Sequence, residues 1–551
     1  MTSSIRRDPG GWFVRLDQDI ASSYVRSGHW RNRTLSDDFA HLVVADPHWP
    51  AIVQGNLVVT RGELLAQARA LAGSLLRLGL GKGAVVSVML PNWPEVAIVD
   101  LAAAMTGMVL NPIVPIYRAA ETSFILNDCR SQVLFIPQQF RGFDYVRMMC
   151  EIRHGLANLR HIIVVRGTKA VPGMLEWRTS VTDCDIDVRN LPPPEPDAIK
   201  LVLYTSGTTG LAKGVLHSHN TIGAEIRNVA RHWALSPSDT VFMPSPLTHV
   251  TGYLYGIQMP LTIGMTAVYM DQWDPNAAFT LLERYRCSWT VAATPFLREL
   301  TDIAQASNHA LPHLRYFACG GASVPPELIY AAQRTFCNCI VCRIYGSTEA
   351  PTVTLGPTTR ETELAATTDG IVVGHQIKLV NSEGREVDKG DIGEVLTRGP
   401  EMFLGYTNAA DNAEAFDVDG YFRTGDLARE VEPGWLTITG RAKDLVIRGG
   451  ENISAKEVED VLHRHPSVHE AAVVAMPHPR LGETCCAFII LKTGHTITLS
   501  DVSELMATAG LAKQKTPERI EFVQEFPRTA SGKIRKVELR KLIAERLAGS
   551  N

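Results

Sequence analysis

The stretch Tyr204 to Gly214, reading Tyr-Thr-Ser-Gly-Thr-Thr-Gly-Leu-Ala-Lys-Gly, follows the apolar run Ile199, Leu201, Val202 and Leu203 and constrains this chain more than any other segment. The apolar run reads as a buried strand entering a loop, and Gly207, Gly210 and Gly214 allow that loop positive φ. Backbone N–H groups exposed by such a turn point at an anion; the hydroxyls of Thr205, Ser206, Thr208 and Thr209 add donors and Lys213 adds a point charge. The stretch is therefore expected to hold phosphate. A Walker A loop requires Gly-Lys-Ser/Thr, whereas here Ala212 precedes the lysine and Gly214 follows it, which argues against an ordinary P-loop NTPase. The G-x-G-x-x-G spacing of a protein-kinase loop is missing too.

A chain of 551 residues exceeds what one hydrophobic core organises, so at least two domains are expected. A formal net charge of −4 provides no global electrostatic case for nucleic acid or an anionic membrane. Arg6 and Arg7 are not followed by an apolar signal region, and no later segment has the ~18 uninterrupted apolar residues of a membrane span, so a cytoplasmic, non-spanning chain is expected. Ten scattered cysteines suit reduced thiols better than a disulfide framework. Cys337, Cys339 and Cys342 sit close together, but strand alternation would separate Cys342 from the others and no fourth ligand is suggested nearby.

Leu64, Ala68, Leu71 and Leu75 recur at helical spacing and stop at Gly79, after which Ala84 to Leu90 reads as a buried strand. The same alternation continues towards Met270, so the fold class is α/β, a parallel or mixed sheet core covered by helices. Beyond about Gly393 the strands shorten between Gly and Asp turns. Ser454 and Glu457 form a candidate capping box for a helix carrying Val458, Val461 and Leu462. The expected division is a large domain over residues 1–442 and a small α+β domain over residues 443–551.

Four more segments accompany the phosphate loop: Tyr345-Gly346-Ser347-Thr348-Glu349, Tyr421 to Asp426, Gly440 to Asp444, and Pro527 to Lys533. In this order and spacing the chain resembles the adenylate-forming superfamily of acyl-CoA synthetases, adenylation domains and luciferases. The runs Arg448 to Ile453 and Ser531 to Lys536, with the opening Gly28 to Leu35, are most similar to cyclohexanecarboxylate and medium-chain acyl-CoA ligases. The resemblance implies a large adenylation domain with a mobile C-terminal lid, and a reaction in which a carboxylate attacks the α-phosphate of ATP before a thiol displaces AMP. It also implies ATP, Mg²⁺ and coenzyme A, a small carboxylic acid as substrate, and leaves a homodimer open.

Residue by residue, the resemblance gives the loop from Thr205 to Gly210, with Lys213, the β- and γ-phosphates, and gives Glu349 the metal, as a hard oxygen ligand for a hard cation. Tyr345 would stack on adenine against Gly320, Gly321 and Ala322, with Gly346, Ser347 and Thr348 beside it. Asp426 would accept from both ribose hydroxyls and Arg441 would donate to the same sugar. Lys533 would bridge the carboxylate and the α-phosphate. Lys443 occupies the hinge position, from which a swivel would exchange Lys533 for the Gly449-Gly450 strand edge and make room for pantetheine. Many relatives carry Asp at this hinge and Pro where this chain has Ala212, which points to altered hinge balance and loop stiffness.

His249 matches the histidine that borders the carboxylate and gates the acid pocket, and Val250, Thr251, Tyr255, Phe296 and Cys319 are wall candidates. No cation stands among them, which favours an apolar acyl group: alicyclic, branched or medium-chain. The basic stretch Arg528, Lys533, Arg535, Lys536, Arg540 and Lys541 lacks interleaved aromatics, so a nucleic-acid role is not expected. Alternatives are a ligase that loads a carrier-protein phosphopantetheine, a non-catalytic nucleotide-binding regulator and, more remotely, a luciferase-like oxygenase.

Overall fold

The computed structural model describes residues 5–180, 186–205, 212–321, 324–529 and 532–548. Among them, two seven-stranded sheets form the base of the large domain. The first runs, in spatial order, Leu175–Glu176, His161–Val165, Val133–Pro137, Val85–Val88, Val109–Pro112, Ile199–Thr205 and Lys213–Ser218. All its pairings are parallel except the last, an antiparallel hairpin in which Thr205 stands opposite Lys213. The second sheet runs Ile340–Arg343, Tyr316–Cys319, Trp289–Ala292, Thr240–Met243, Thr266–Tyr269, Pro50–Gln54 and Leu57–Thr60, again parallel up to its last strand.

Both sheets are covered on both faces, which is why their strands read as continuous apolar runs rather than alternating ones. The helix Pro94–Thr106 is buried on nearly every side, and one continuous core joins Val86 and Leu110 of the first sheet to Val241 and Val341 of the second. The helix Arg61–Arg77 starts at a capping box of Thr60 and Glu63 and buries Leu64, Ala68, Leu71 and Leu75 as their spacing predicts. An antiparallel six-stranded sheet follows, with the hairpin Phe422–Glu432 and Trp435–Arg441 at its centre.

The small domain is built on the strands Glu451–Ser454, Leu445–Arg448, Gly482–Leu491, Val468–His478 and Arg519–Phe522. Alternation along Val468–His478 sends Ala471 and Val473 to one apolar cluster and Ala472 and Val474 to another, so helices cover both faces. The capping box expected at Ser454 is only half formed. Ser454 accepts from the Glu457 N–H, but the Glu457 carboxylate takes the Lys515 ammonium at 2.7 and 2.8 Å, a stronger partner than a backbone N–H. The basic stretch is largely neutralised inside this domain, by Arg528–Glu470, Arg535–Glu538, Lys536–Glu459 and Arg540–Asp444 pairs.

All nine described cysteines are free thiols. Cys339 and Cys342 are both buried while Cys337 is exposed, so the odd member of the trio is Cys337 rather than Cys342. Among the described residues no helix is long and apolar enough to cross a membrane.

Candidate active site

In a sheet of parallel strands the chain turns at the carboxyl ends, and side chains placed there face one crevice. Thr205, His249, Gly320, Gly321 and Tyr345 all follow strands in this way, from both sheets. Ser206, Gly207, Thr208, Thr209, Gly210 and Ala322 lie outside the described residues. Lys213, at the far side of the phosphate loop, pairs with Asp411 at 3.0 Å and lies 5.0 Å above the Tyr406 ring.

The segment from Tyr345 to Glu349 is a tight turn. A Cβ on Gly346 would lie 1.9 Å from the Pro351 carbonyl oxygen, so no other residue fits there. Ser347 Oγ accepts from the Ala350 N–H at 3.2 Å, and the Thr348 carbonyl accepts from His217 Nε2 at 2.8 Å. Burial pushes His217 down to about 4, which keeps it neutral, and the carbonyl partner assigns the remaining proton to Nε2. Glu349 accepts from the Tyr406 hydroxyl at 2.9 Å.

Asp426 and Arg441 are register partners across their hairpin, and the Arg441 Nε donates to Asp426 Oδ1 at 2.6 Å. The other carboxylate oxygen accepts from the Tyr345 hydroxyl at 2.9 Å. Burial acts to lower the Arg441 pKa, but the charge and hydrogen bond of Asp426 outweigh it and the net shift is upward. Lys533 enters this group from the small domain, its Cε 3.8 Å from where a Cβ on Gly321 would stand. Water still reaches the side chain, yet the protein crowded around it, and then the Arg441 charge, push its ammonium pKa down against the pull of Asp426 and Glu349. His249 is pushed down to about 4, by burial and then by the charge of Lys533.

The crevice thus collects a lysine, an arginine, two carboxylates and a neutral histidine from both domains. The sequence profile described as "AMP-binding enzyme" covers residues 39–407, and that of the "AMP-binding enzyme C-terminal domain" covers residues 457–533. The chain belongs to the AMP-binding enzyme family. It is 35% identical over 538 residues to the medium-chain fatty-acid–CoA ligase of Escherichia coli, covering 97% of this chain and 94% of that one. It is 29% identical to the 2,3-dihydroxybenzoate-AMP ligase of Bacillus subtilis, covering 97% and 98%. The solved structure of ATP-bound MatB from Rhodopseudomonas palustris superimposes with a TM-score of 0.82 at 25% identity, over 92% of this chain and 98% of that one. This AMP-binding enzyme is therefore an adenylate-forming acid ligase.

The remaining expected positions of the AMP-binding enzyme separate into three groups. Val250 and Thr251, next to His249 in the chain, and Phe296 are partly exposed, and the Phe296 ring meets Trp273 edge-on at 4.6 Å. Tyr255 and Cys319 are closed off. The Tyr255 hydroxyl is held by Glu225 at 2.5 Å and by Thr352, while Cys319 is fully buried with its thiol pushed up to about 12 by burial. Gly449 and Gly450 form the exposed tip of the hairpin Leu445–Arg448 and Glu451–Ser454, with Leu481 as the neighbour of Gly449 and nothing within 4 Å of a Cβ at Gly450. Lys443 lies in the turn Ala442–Asp444, which joins the two domains' sheets, and its carbonyl accepts from Arg540 at 3.4 Å.

Sequence reading missed Asp411, Tyr406, His217 and a buried cluster under the crevice. In that cluster Glu225 accepts from Tyr255 and, at 2.7 Å, from Thr352, Glu401 accepts from Asn228, and His375 Nε2 lies 2.7 Å from Glu401 Oε2. Burial, and then the neighbouring Glu401, raise Glu225 well above the carboxylate range, and burial pushes Glu401 up to about 8. The signal for Lys213 and Glu349 partners was the aromatic and acidic run after Glu401, which lacks a motif of its own.

Proposed function

We propose that the enzyme is an AMP-forming acid:CoA ligase acting on an alicyclic, branched or medium-chain carboxylic acid. The observation that carries this reading is the meeting of Lys533 with Asp426, Arg441, Glu349 and His249 across two domains. A carboxylate oxygen attacks the α-phosphorus of ATP, a P–O bond forms, and the bond to the β-phosphate oxygen breaks to release pyrophosphate. Attacker and target are both anionic, so the barrier falls chiefly through positioning and through cations already in place. Lys533 supplies such a charge, and its lowered pKa reflects the protein and the Arg441 charge gathered around it. Asp426, fixed by Arg441 and Tyr345, orients the ribose.

Glu349 suits a Mg²⁺ ion, being a hard oxygen donor on a rigid turn, next to the Tyr406 ring that Lys213 overlies. Such an ion, when bound, neutralises phosphate charge. The acyl-adenylate then accepts the CoA thiolate at its carbonyl carbon, and the C–O bond to AMP breaks. His249 is neutral and half-buried, which suits a gate that admits the thiol without adding a charge. We place the domain division at Lys443, whose turn lets Gly449 and Gly450 replace Lys533 for this second step.

The half-exposed, uncharged set Val250, Thr251 and Phe296, together with the likeness to a medium-chain ligase, supports an apolar acyl group. The likeness to an aryl-AMP ligase supports transfer to a carrier protein as the second reading. A panel of carboxylic acids in ATP–pyrophosphate exchange, followed by AMP release with CoA or holo-carrier protein, tests both. Acid-dependent exchange followed by CoA-dependent release is expected. If no acid of the panel drives exchange at saturating Mg-ATP, the ligase reading ends, and release with carrier protein alone selects the second.

A further inference from the structure

The turn from Pro91 to Glu95 leaves the first sheet after Val85–Val88 and starts the helix Pro94–Thr106. Asn92 and Trp93 reach across to the second sheet, while Glu95 stays with the first. Trp93 Nε1 donates to Asp271 at 3.1 Å, and Glu95 takes the Arg166 guanidinium at 2.7 and 2.9 Å. Between them Asn92, 5% exposed, commits its whole amide to backbone groups. Its Nδ2 donates to the carbonyls of Ser245 and Met270, each at 2.9 Å, with the Met243 carbonyl at 3.4 Å, and its Oδ1 accepts from the Leu247 N–H at 2.8 Å.

Ser245 and Leu247 belong to the short crossover that leaves Thr240–Met243 and delivers His249, and Met270 ends the neighbouring strand Thr266–Tyr269. The partners fix which way the amide faces. Turned over, it would set NH₂ against the Leu247 N–H and oxygen against two carbonyls. The crossover has little slack of its own. The Pro246 carbonyl accepts from the His249 N–H at 3.0 Å, and a Cβ on Gly252 would stand 2.0 Å from that same oxygen. His249 is thus held on one side by Asn92, through Ser245 and Leu247, and on the other by the close approach of Gly252. Serine at position 92 is too short to reach all these groups, and aspartate keeps the acceptor for Leu247 while losing both donors.

We propose that Asn92 is a positioning residue for acid activation, holding the crossover so that His249 faces the Lys533 group and thereby setting the affinity for the acid independently of that for ATP. The inference rests on the reading in which His249 borders the acid. It differs from a stability role because only one substrate should respond.

The test compares Asn92→Ser and Asn92→Asp with the parent, using octanoate and cyclohexanecarboxylate as probes in ATP–pyrophosphate exchange. Asn111→Ser is the control, since Asn111 is a fully buried amide of the first sheet that donates to Ser87 at 2.8 Å. In the Asn92 variants the acid KM should rise on the order of 10- to 100-fold, because a small misplacement of a contact group has that cost. The ATP KM should stay within about twofold, and the control should leave the ratio of the two unchanged. Hydrogen exchange of peptides over residues 244–252 should be faster in the Asn92 variants than in the parent and the control. Acid and ATP KM rising together, an unchanged acid KM, or unchanged exchange over 244–252 would overturn the proposal. A parent in which neither acid drives exchange defeats the ligase reading instead, and the peptide measurement still decides the role of Asn92.

Discussion

Two tyrosine–carboxyl pairs sit in the large domain and behave oppositely. Tyr345 donates to Asp426 in the crevice, and Tyr255 donates to Glu225 beneath it. Asp426 faces the Arg441 guanidinium at 2.6 Å, whereas Glu225 has another acid, Glu401, acting on it. On the proposed reading the first pair presents charge to a ligand, while the second hides a proton between two helices and a loop. The same two side-chain types thus become a binding group or a structural tie according to whether a cation is at hand.

The largest effect should come from the charged side. Lys533→Ala should lower adenylation by the order of 10²–10³-fold expected for one preorganised charge-stabilising group, while thioester formation from supplied acyl-AMP survives. Equal loss in both half-reactions would remove Lys533 from the role given to it. Asp426→Asn and Glu225→Gln make the same chemical change on the two sides of the comparison. The first leaves Arg441 without its counter-ion and should raise the ATP KM about 10- to 100-fold, roughly 1.5–3 kcal/mol. The second replaces a protonated carboxyl by its near-isostere and should change stability by less than about 1 kcal/mol below about pH 4.5, where the unfolded carboxyl is protonated as well. If Glu225→Gln proves the more damaging, the contrast collapses.

The hidden proton also has a pH signature. Glu401 is held at about 8 against 4.5 for the free group, so below about 4.5 folded and unfolded chains are both protonated and its contribution is intact. As pH rises towards about 8 the unfolded chain ionises while the folded one resists, and stability falls by up to about 1.4 kcal/mol per unit before levelling off. Urea midpoints should decline across that window, and Glu401→Gln should flatten the decline. His217, His249 and His375 act at the other end. Each is pushed from 6.5 to about 4 chiefly by burial, so their contribution is present above about 6.5 and is lost as pH falls through about 4. The smallest effect should be at the hinge. Lys443→Pro should slow CoA-dependent AMP release more than pyrophosphate exchange, and equal slowing would argue that the turn does not govern the swivel.

The charged side was legible because its members carry local patterns. Tyr345 and Glu349 share one turn, Asp426 follows Thr-Gly, and Lys533 follows Ser-Gly, so each is visible without its neighbours. The hidden side was not. Glu225 is one acid on the helix His219–His232, and its partner Thr352 stands 127 residues away, so nothing local distinguishes it from a solvated face. Asn92 is hidden for the same reason, since it binds backbone, which leaves no trace in residue type. Tyr255 and Cys319 were placed near the acid by sequence position, but the turn Tyr253–Gln258 and the strand Tyr316–Cys319 bury them instead.

By itself the sequence determined the α/β pattern, the glycine- and hydroxyl-rich segment after its strand and the ordered motifs, because apolar period, glycine placement and local donor chemistry are written in neighbouring residues. The tertiary structure alone decided that Lys533 crosses from the small domain into the crevice, that Glu225 holds a proton while Asp426 pairs with Arg441, and that Asn92 fastens the approach to His249. Burial and the charge of distant neighbours exist only once the chain is assembled, and those two quantities set the chemistry of each side chain.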